Sequence, residues 1–348
     1  MRGRGSGSNP DGRFERLDYT PDPEVPPEKR RATRILKDDS QTILSKNTSP
    51  DIPFDRSLNP YRGCEHGCAY CYARPTHEYL GFSAGLDFES RIVAKQEAPK
   101  LLRRELLRSN YKPSPLAMSG VTDCYQPIEK TLKITRGCLE VLAEMRHPVT
   151  IITKNALVLR DLDLLRELAR FDAVRVAISV TSLDRELTSI LEPRASSPRA
   201  RLAAVEELVA EGIPAGVMVA PIIPMLNEPE IPEILSAVAK AKAEFAGFTV
   251  VRLPWGVTEI FENWLEEHFP LRREKVMGRI RAMQGETTSA ADFGQRIRGQ
   301  GIFAEQIQSL FRACCRRSGL ATGPLPRLPV RQFRKSDGFQ QELELFTQ

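Results

Sequence analysis

Cys64, Cys68 and Cys71 stand at C-x3-C-x2-C spacing in the run Asn59-Pro60-Tyr61-Arg62-Gly63-Cys64-Glu65-His66-Gly67-Cys68-Ala69-Tyr70-Cys71-Tyr72. A cubane iron–sulfur cluster needs four ligands, so three thiolates this close in sequence hold three irons and leave the fourth without a protein ligand. An iron open to an exogenous ligand is a place for chemistry. Gly63 and Gly67 free the backbone for a tight wrap around such a centre, and no β-branched residue lies between the first and last cysteine. The same thiols with His66 or His77 equally suit a zinc ion, and the loop alone leaves both readings open.

The elements that must position this loop follow from the apolar pattern. Short strand-like runs at Leu116–Val121, Val149–Thr153, Val174–Val180, Ala215–Ile223 and Phe248–Leu253 join a first strand leading into the cysteines. Helix-periodic stretches near 96–108, 129–145, 160–170, 198–211 and 230–243 separate them. This alternation predicts a parallel sheet with crossover helices, an α/β fold of the partial (β/α)6 TIM-type barrel kind. In such a barrel the chemistry sits in the loops after the carboxyl ends of the strands, where the cysteine loop stands.

The cysteine loop resembles that of the radical S-adenosylmethionine (radical SAM) superfamily. There the methionine part of SAM chelates the fourth iron, and an electron cleaves SAM to a 5′-deoxyadenosyl radical. The aromatic residue just before the last cysteine, which in that superfamily packs near the adenine, is matched by Tyr70. The resemblance implies a [4Fe-4S] cluster and SAM as cofactors, and an electron donor of flavodoxin or ferredoxin type. Other strand ends carry groups that suit a zwitterionic amino acid with a ribose attached: Ser119-Gly120-Val121-Thr122-Asp123, Ile152-Thr153-Lys154-Asn155, Ile178-Ser179-Val180-Thr181 and then Glu192-Pro193-Arg194. Thr122 or Asp123 would accept from an amino group or ribose, and Lys154 or Arg194 would meet a carboxylate. Singly, each reads as an ordinary solvated strand end.

Taken together, the cysteine loop with Tyr70 and Tyr72, Thr122-Asp123, Thr153-Lys154, Ile178-Ser179, Glu192-Pro193 and Val219-Ala220-Pro221-Ile222 are similar to the spore-photoproduct-lyase-like branch of that superfamily, over about residues 57–225. The resemblance implies that Cys64, Cys68 and Cys71 ligate the cluster, and that Tyr70, Tyr72, Thr122, Asp123, Lys154, Ser179 and Arg194 form the SAM site. One position departs. Where the lyase has a hydrogen-donating cysteine, two residues before the hydroxyl of the second strand, this chain has Gly120. Cys124 is a candidate relocated donor, against the plainer reading of a small apolar filler. Cys138 reads as helix packing, and adjacent Cys314 and Cys315 are poorly placed to chelate one metal together.

At 348 residues with 41% hydrophobic content the chain buries a substantial core. No run approaches 18 apolar residues and no apolar leader is evident, so a cytoplasmic protein is expected, with seven cysteines more useful as ligands than as disulfides. Residues 1–53 read as a mobile arm or a wrap over the main domain, 54–256 as the barrel, 257–320 as a helical basic extension and 321–348 as a flexible tail. Residues 271–335 hold 14 Lys and Arg against 4 Asp and Glu, which either neutralise phosphates or form solvated helix faces. Trp255, between Pro254 and Gly256, either stacks on a planar substrate or, the favoured reading, covers core beneath a helix at 258–268. The tail pattern Gln340-x-x-Leu343-x-Leu345-Phe346 resembles peptides that dock on the bacterial sliding clamp. The expected activity is radical hydrogen abstraction, with nucleic acid as the leading substrate, a protein or small molecule as the competitor, and a zinc-binding module as the non-catalytic alternative.

Overall fold

Aliphatic runs without polar alternation are stable only when buried on both faces, which a parallel sheet under helices provides. In a computed structural model that describes residues 3–10, 12–14, 32–52, 54–286, 288–289, 295–323 and 325–336, the chain takes this form. Strands β1 (Arg34–Lys37), β2 (Leu44–Lys46), β3 (Arg56–Leu58), β4 (Tyr61–Arg62) and β5 (Arg91–Ala94) lie on the amino-terminal side. They are followed by β6 (Leu116–Met118), β7 (Val149–Thr153), β8 (Val174–Ser179), β9 (Ala215–Ile222) and β10 (Phe245–Val250). The main sheet runs β10-β9-β8-β7-β6-β3-β2, parallel throughout except for β2, which pairs antiparallel with β3. Six parallel strands in sequential order make the partial barrel. A small second sheet, β1-β5-β4, stands beside it.

Helices α1 (Ala98–Leu107), α2 (Ile134–Glu144), α3 (Leu162–Ala169), α4 (Pro198–Ala210) and α5 (Ile231–Lys240) cover the outside, each turning an apolar stripe inward. Helices α6 (Val257–His268), α7 (Arg273–Gln284) and α8 (Gly301–Ser318) form the extension. One continuous core unites the inner strand residues with the covering helices and α8. A second joins Cys68, Ala69 and Tyr70 of the cysteine loop to α6 and α7, so the extension packs against the loop.

Two expectations change here, and for the described part of residues 1–53 the wrap describes what is seen. The last strand spans Phe245–Val250, three residues earlier than its apolar pattern indicates, because the small residues Ala246 and Gly247 pair with β9 at Val217 and Met218. Much of the expected amino-terminal arm is built in: β1 and β2 lie in the two sheets, and Gly3–Pro10 wraps the cysteine loop, with the Gly5 N–H donating to Glu89 Oε1 at 3.1 Å and Asn9 Oδ1 accepting from the Leu86 N–H at 2.7 Å. Residues 325–336, expected in a flexible tail, lie across the barrel: the Arg334 N–H donates to Met145 O at 3.0 Å and the Phe333 ring meets Tyr111 and His147 at 5.8 and 5.2 Å. Their apolar anchors are spaced too widely to register as periodicity. The clamp-like pattern at 340–346 lies outside the described residues. No helix of the described residues is long and apolar enough to cross a membrane.

Ile151, wholly buried in the middle of β7, is a point at which to test the barrel. Ile151→Ala should lower unfolding free energy by about 2–5 kcal/mol, read from the urea midpoint at unchanged m value.

Candidate active site

The cysteine loop leaves β4 and turns at Gly63 and Gly67, both in left-handed backbone at φ 78° and 66°. These are the two positions at which glycine is needed; a Cβ on Gly63 would also come within 2.9 Å of Phe88 O. The Cys64 N–H donates to Phe88 O at 2.9 Å and the Ala69 N–H to Leu191 O at 3.1 Å. From beneath, Arg74, fully buried, donates from Nε and Nη2 to Cys68 O at 3.0 and 2.8 Å and pairs with Glu89 at 2.5 Å.

All seven cysteines are free thiols, and Cys64 and Cys68 are buried. Burial pushes Cys64, Cys68 and Cys71 upward; Cys64 is raised further by Asp123 and by the other two thiols, and Cys68 by Glu192 and Cys71. Three mutually close thiols, two of them buried, ionise together only with a cationic core to accompany them, which the irons of a cluster would supply. The histidines offered for zinc are engaged elsewhere: His66 Nδ1 lies 3.4 Å from Asp123 Oδ2, and His77 Nε2 lies 3.0 Å from Arg91 O. Burial lowers His77 to about 4, leaving it neutral. The residues therefore fit a three-thiolate cluster.

The expected SAM contacts gather around this loop, but most serve first as ties. Thr122 Oγ1 donates to Gly63 O at 2.6 Å, holding the loop to the end of β6. Asp123 accepts from Thr153 Oγ1 at 2.7 Å and from the Lys154 and Tyr125 N–H groups at 2.8 Å each, so it links two strand ends. Burial works to raise its carboxyl, but His66, the Lys154 N–H and the Thr153 hydroxyl outweigh it and hold the group below its ordinary value. Lys154 Nζ donates to Ala220 O at 3.1 Å and lies 3.4 Å from Glu192. Arg194 donates to Glu65 Oε1 at 2.6 Å. Tyr70 is buried, its hydroxyl donating to Glu192, with Lys154 Nζ 5.7 Å over its ring. Tyr72 is exposed at the rim, its hydroxyl donating to Gly120 O at 2.9 Å. Ser179 ends β8 with its carbonyl held by Arg201 at 3.0 Å, and its hydroxyl has no protein partner among the described residues.

Cys124 does not join them. It is fully buried in the main core with Sγ 4.0 Å from Met118 O, the small-filler arrangement, because the turn after Asp123 aims its side chain inward. Trp264, not Trp255, covers the core of α6, stacking on Phe261 at 5.5 Å, whereas Trp255 is 61% exposed. The residue the sequence pattern did not single out is Arg201. It donates to Glu192, to Ser179 O and to Ser196 O at 2.7 Å, while Glu192 also accepts from Thr181 Oγ1 at 2.6 Å. Arg201 shares one face of α4 with Ala204, Val205 and Leu208, and a cation within an apolar stripe is the signal of a buried, paired charge.

Burial would raise Glu192, but Arg201, Lys154, Thr181 and Tyr70 hold it well below the usual carboxylate range. A folded-state value below the unfolded one contributes stability that is present above the unfolded pKa and lost as pH falls. Glu192→Gln should cost about 3–5 kcal/mol near neutrality by leaving Arg201 buried without a counter-charge. The gap from wild type should narrow as pH drops below about 4, read from urea titrations across pH. Gly120 faces open space, with a Cβ there 3.9 Å from the nearest atom, Ser57 Cβ. Gly120→Cys should accordingly keep the melting temperature within a few degrees of wild type, on the order of a surface substitution.

A family model described as the radical SAM superfamily matches residues 58–238, more than half of the chain. An uncharacterised Mycobacterium tuberculosis protein is 39% identical over 223 residues, 63% of this chain and 65% of its own length. An uncharacterised Methanocaldococcus jannaschii protein is 30% identical over 213 residues, 61% of this chain and 76% of that one. The chain thus spans less than two thirds of the mycobacterial relative. Among solved structures, spore photoproduct lyase complexed with dinucleoside spore photoproduct aligns with TM-score 0.60 at 17% identity, covering 81% of this chain and 79% of that one, a likeness of fold. A double mutant of the same lyase with bound AdoMet and the dinucleoside aligns with TM-score 0.56 at 16% identity, covering 81% and 78%. With its three-thiol loop at the mouth of a six-stranded parallel barrel, the chain belongs to the radical SAM superfamily, whose cofactors are a [4Fe-4S] cluster and SAM.

Proposed function

We propose that this enzyme abstracts a hydrogen atom from a nucleic acid, in a repair or modification reaction. The cluster, when bound with SAM at its open iron, supplies the electron that releases the 5′-deoxyadenosyl radical. The observation that carries the reading is the gathering of three thiols, two buried and one half-buried, in the loop at the carboxyl ends of the strands, beside a rim of hydroxyls, cations and one carboxylate. Cys64, Cys68 and Cys71 would hold the irons. Ser179 would offer a hydroxyl to SAM, and Lys154, on its short tether to Ala220 O and Glu192, a cation for its carboxylate. Tyr70 and the helices α6 and α7 behind it close the inner side of the site against water and oxidants.

The substrate class draws support from three sides. The fold is like that of a lyase described as bound to a dinucleoside lesion. The carboxyl-terminal segment is strongly basic, and although Arg273 and Arg281 pair with Glu262, Arg298, Arg312, Arg316 and Arg317 are exposed. The clamp-like tail would deliver such an enzyme to DNA. Gly120 carries no thiol and Cys124 lies in the core, so a hydrogen returned to product would come from another group. A flavodoxin- or ferredoxin-type donor in the reducing cytoplasm would supply the electron, in keeping with seven unpaired thiols.

Anaerobically purified protein should contain iron and sulfide and, with dithionite, convert SAM to 5′-deoxyadenosine. Cys68→Ala should lose both the iron and this product; unchanged formation would refute the cluster assignment. Deuterium should pass from a uniformly deuterated oligonucleotide into 5′-deoxyadenosine, and its absence with DNA and RNA alike would remove the nucleic-acid substrate.

A further inference from the structure

Single exposed apolar side chains need no explanation, but aromatic ones gathered at a barrel mouth do. Tyr72, Trp255, Phe14 and Tyr79 are 47%, 61%, 57% and 69% exposed and share one stretch of rim. The Phe14 and Tyr79 rings lie 5.2 Å apart, and the Arg13 guanidinium stands 3.9 Å over Trp255 and 5.7 Å over Tyr79. Arg252, two residues past the end of β10, stands 4.5 Å over the Tyr72 ring. Tyr72 follows Cys71 directly and reaches Gly120 at the end of β6, so this rim borders the cluster loop.

Two of these residues are placed at a cost. Trp255 has φ of 49°, a left-handed conformation that a bulky side chain adopts only when its surroundings compel it, yet most of its surface stays in water. Arg252 is partly buried and forms no ion pair among the described residues; Asp51 in its neighbourhood is bonded by Arg296 at 2.5 Å. Arg13, by contrast, is neutralised by Glu78 and serves to hold one face of Trp255. The result is an exposed ring face and, three residues before it in the chain, a guanidinium without an ion pair among the described residues, the combination of stacking surface and cation that single-strand grooves use.

We propose that this rim binds a single strand of nucleic acid, a base stacking on the open face of Trp255 and a neighbouring phosphate meeting Arg252, which brings the next nucleotide to Tyr72 beside the cluster. The inference rests on the nucleic-acid reading above and adds the strand form and the residues that hold it. A duplex hides its base faces in its own stack, so the rim favours an unpaired strand.

The sequence has two tryptophans, and Trp264 is buried with its indole N–H on Ile190 O, so fluorescence quenching reports on Trp255. Titrating the cluster-loaded full chain with an oligo(dT) of about 12 nucleotides should quench this emission, and the matching duplex should bind at least about tenfold more weakly. Trp255→Ala should abolish the quench and weaken binding of labelled oligo(dT) about tenfold, measured by anisotropy. Arg252→Gln should flatten the log K against log salt slope by about 0.7, the share of one single-strand phosphate, and Arg252→Lys should keep it. Should Arg252→Gln fail to fold, the Arg252→Lys and Trp255→Ala measurements decide. Affinity and slope unchanged in Trp255→Ala and Arg252→Gln, or duplex binding as tight as single strand, overturns this inference and leaves nucleic acid as substrate through another surface. Wild-type protein that binds neither form at low salt overturns the inference and the nucleic-acid reading together, while the Cys68 experiment stands apart.

Discussion

Three ionisable thiols must be held together in one tight loop, and the structure meets that constraint with buried carboxylates satisfied from every side. Glu192 is the clearest case: Arg201, Lys154, Thr181 and Tyr70 all converge on it. Taking such a pair out of water costs several kcal/mol per ion, and only excellent geometry with the remaining lone pairs filled offsets it. Here the geometry does more than compensate. Through Tyr70 it fixes the loop between the second and third cysteines, through Lys154 the end of β7, and through Arg201 the carbonyl that ends β8. Arg74 with Glu89 does the same from the opposite side of the loop.

This frame explains why residues whose types suit SAM are largely committed to one another. Thr122, Asp123 and Arg194 use their polar atoms on Gly63 O, on the β7 end and on Glu65. A site so tied is preorganised: hydrogen bonds within the protein fix the loop against the strand ends. Ser179, with an uncommitted hydroxyl, and the Tyr72 rim are where the protein still has contacts to offer.

The two ends of the barrel mouth have opposite character. On the inner side Trp264, Phe261 and the loop's own Ala69 and Tyr70 make a dry wall, as reactive intermediates require. On the outer side Trp255 and Tyr72 face water beside arginines. The tryptophans are nine positions apart in sequence and opposite in environment, one buried and one exposed, since Trp264 lies on the apolar stripe of α6 and Trp255 lies in the turn before it.

The order of strands and helices was legible in the chain because it is a local property, decided by period and apolar run length, and the three-thiol loop was visible there as spacing. Glycines at 63 and 67 were legible for the same reason, each answering a backbone angle at its own position. What only the tertiary structure decided was partnership. Nothing near Glu192 in sequence identifies Arg201 as its counter-charge, nothing near Cys124 shows its sulfur turned to Met118 O, and nothing in residues 3–10 or 325–336 shows them lying on the barrel. Those outcomes depend on which strand ends are brought side by side, and pairings between residues tens of positions apart leave no periodic trace in the chain.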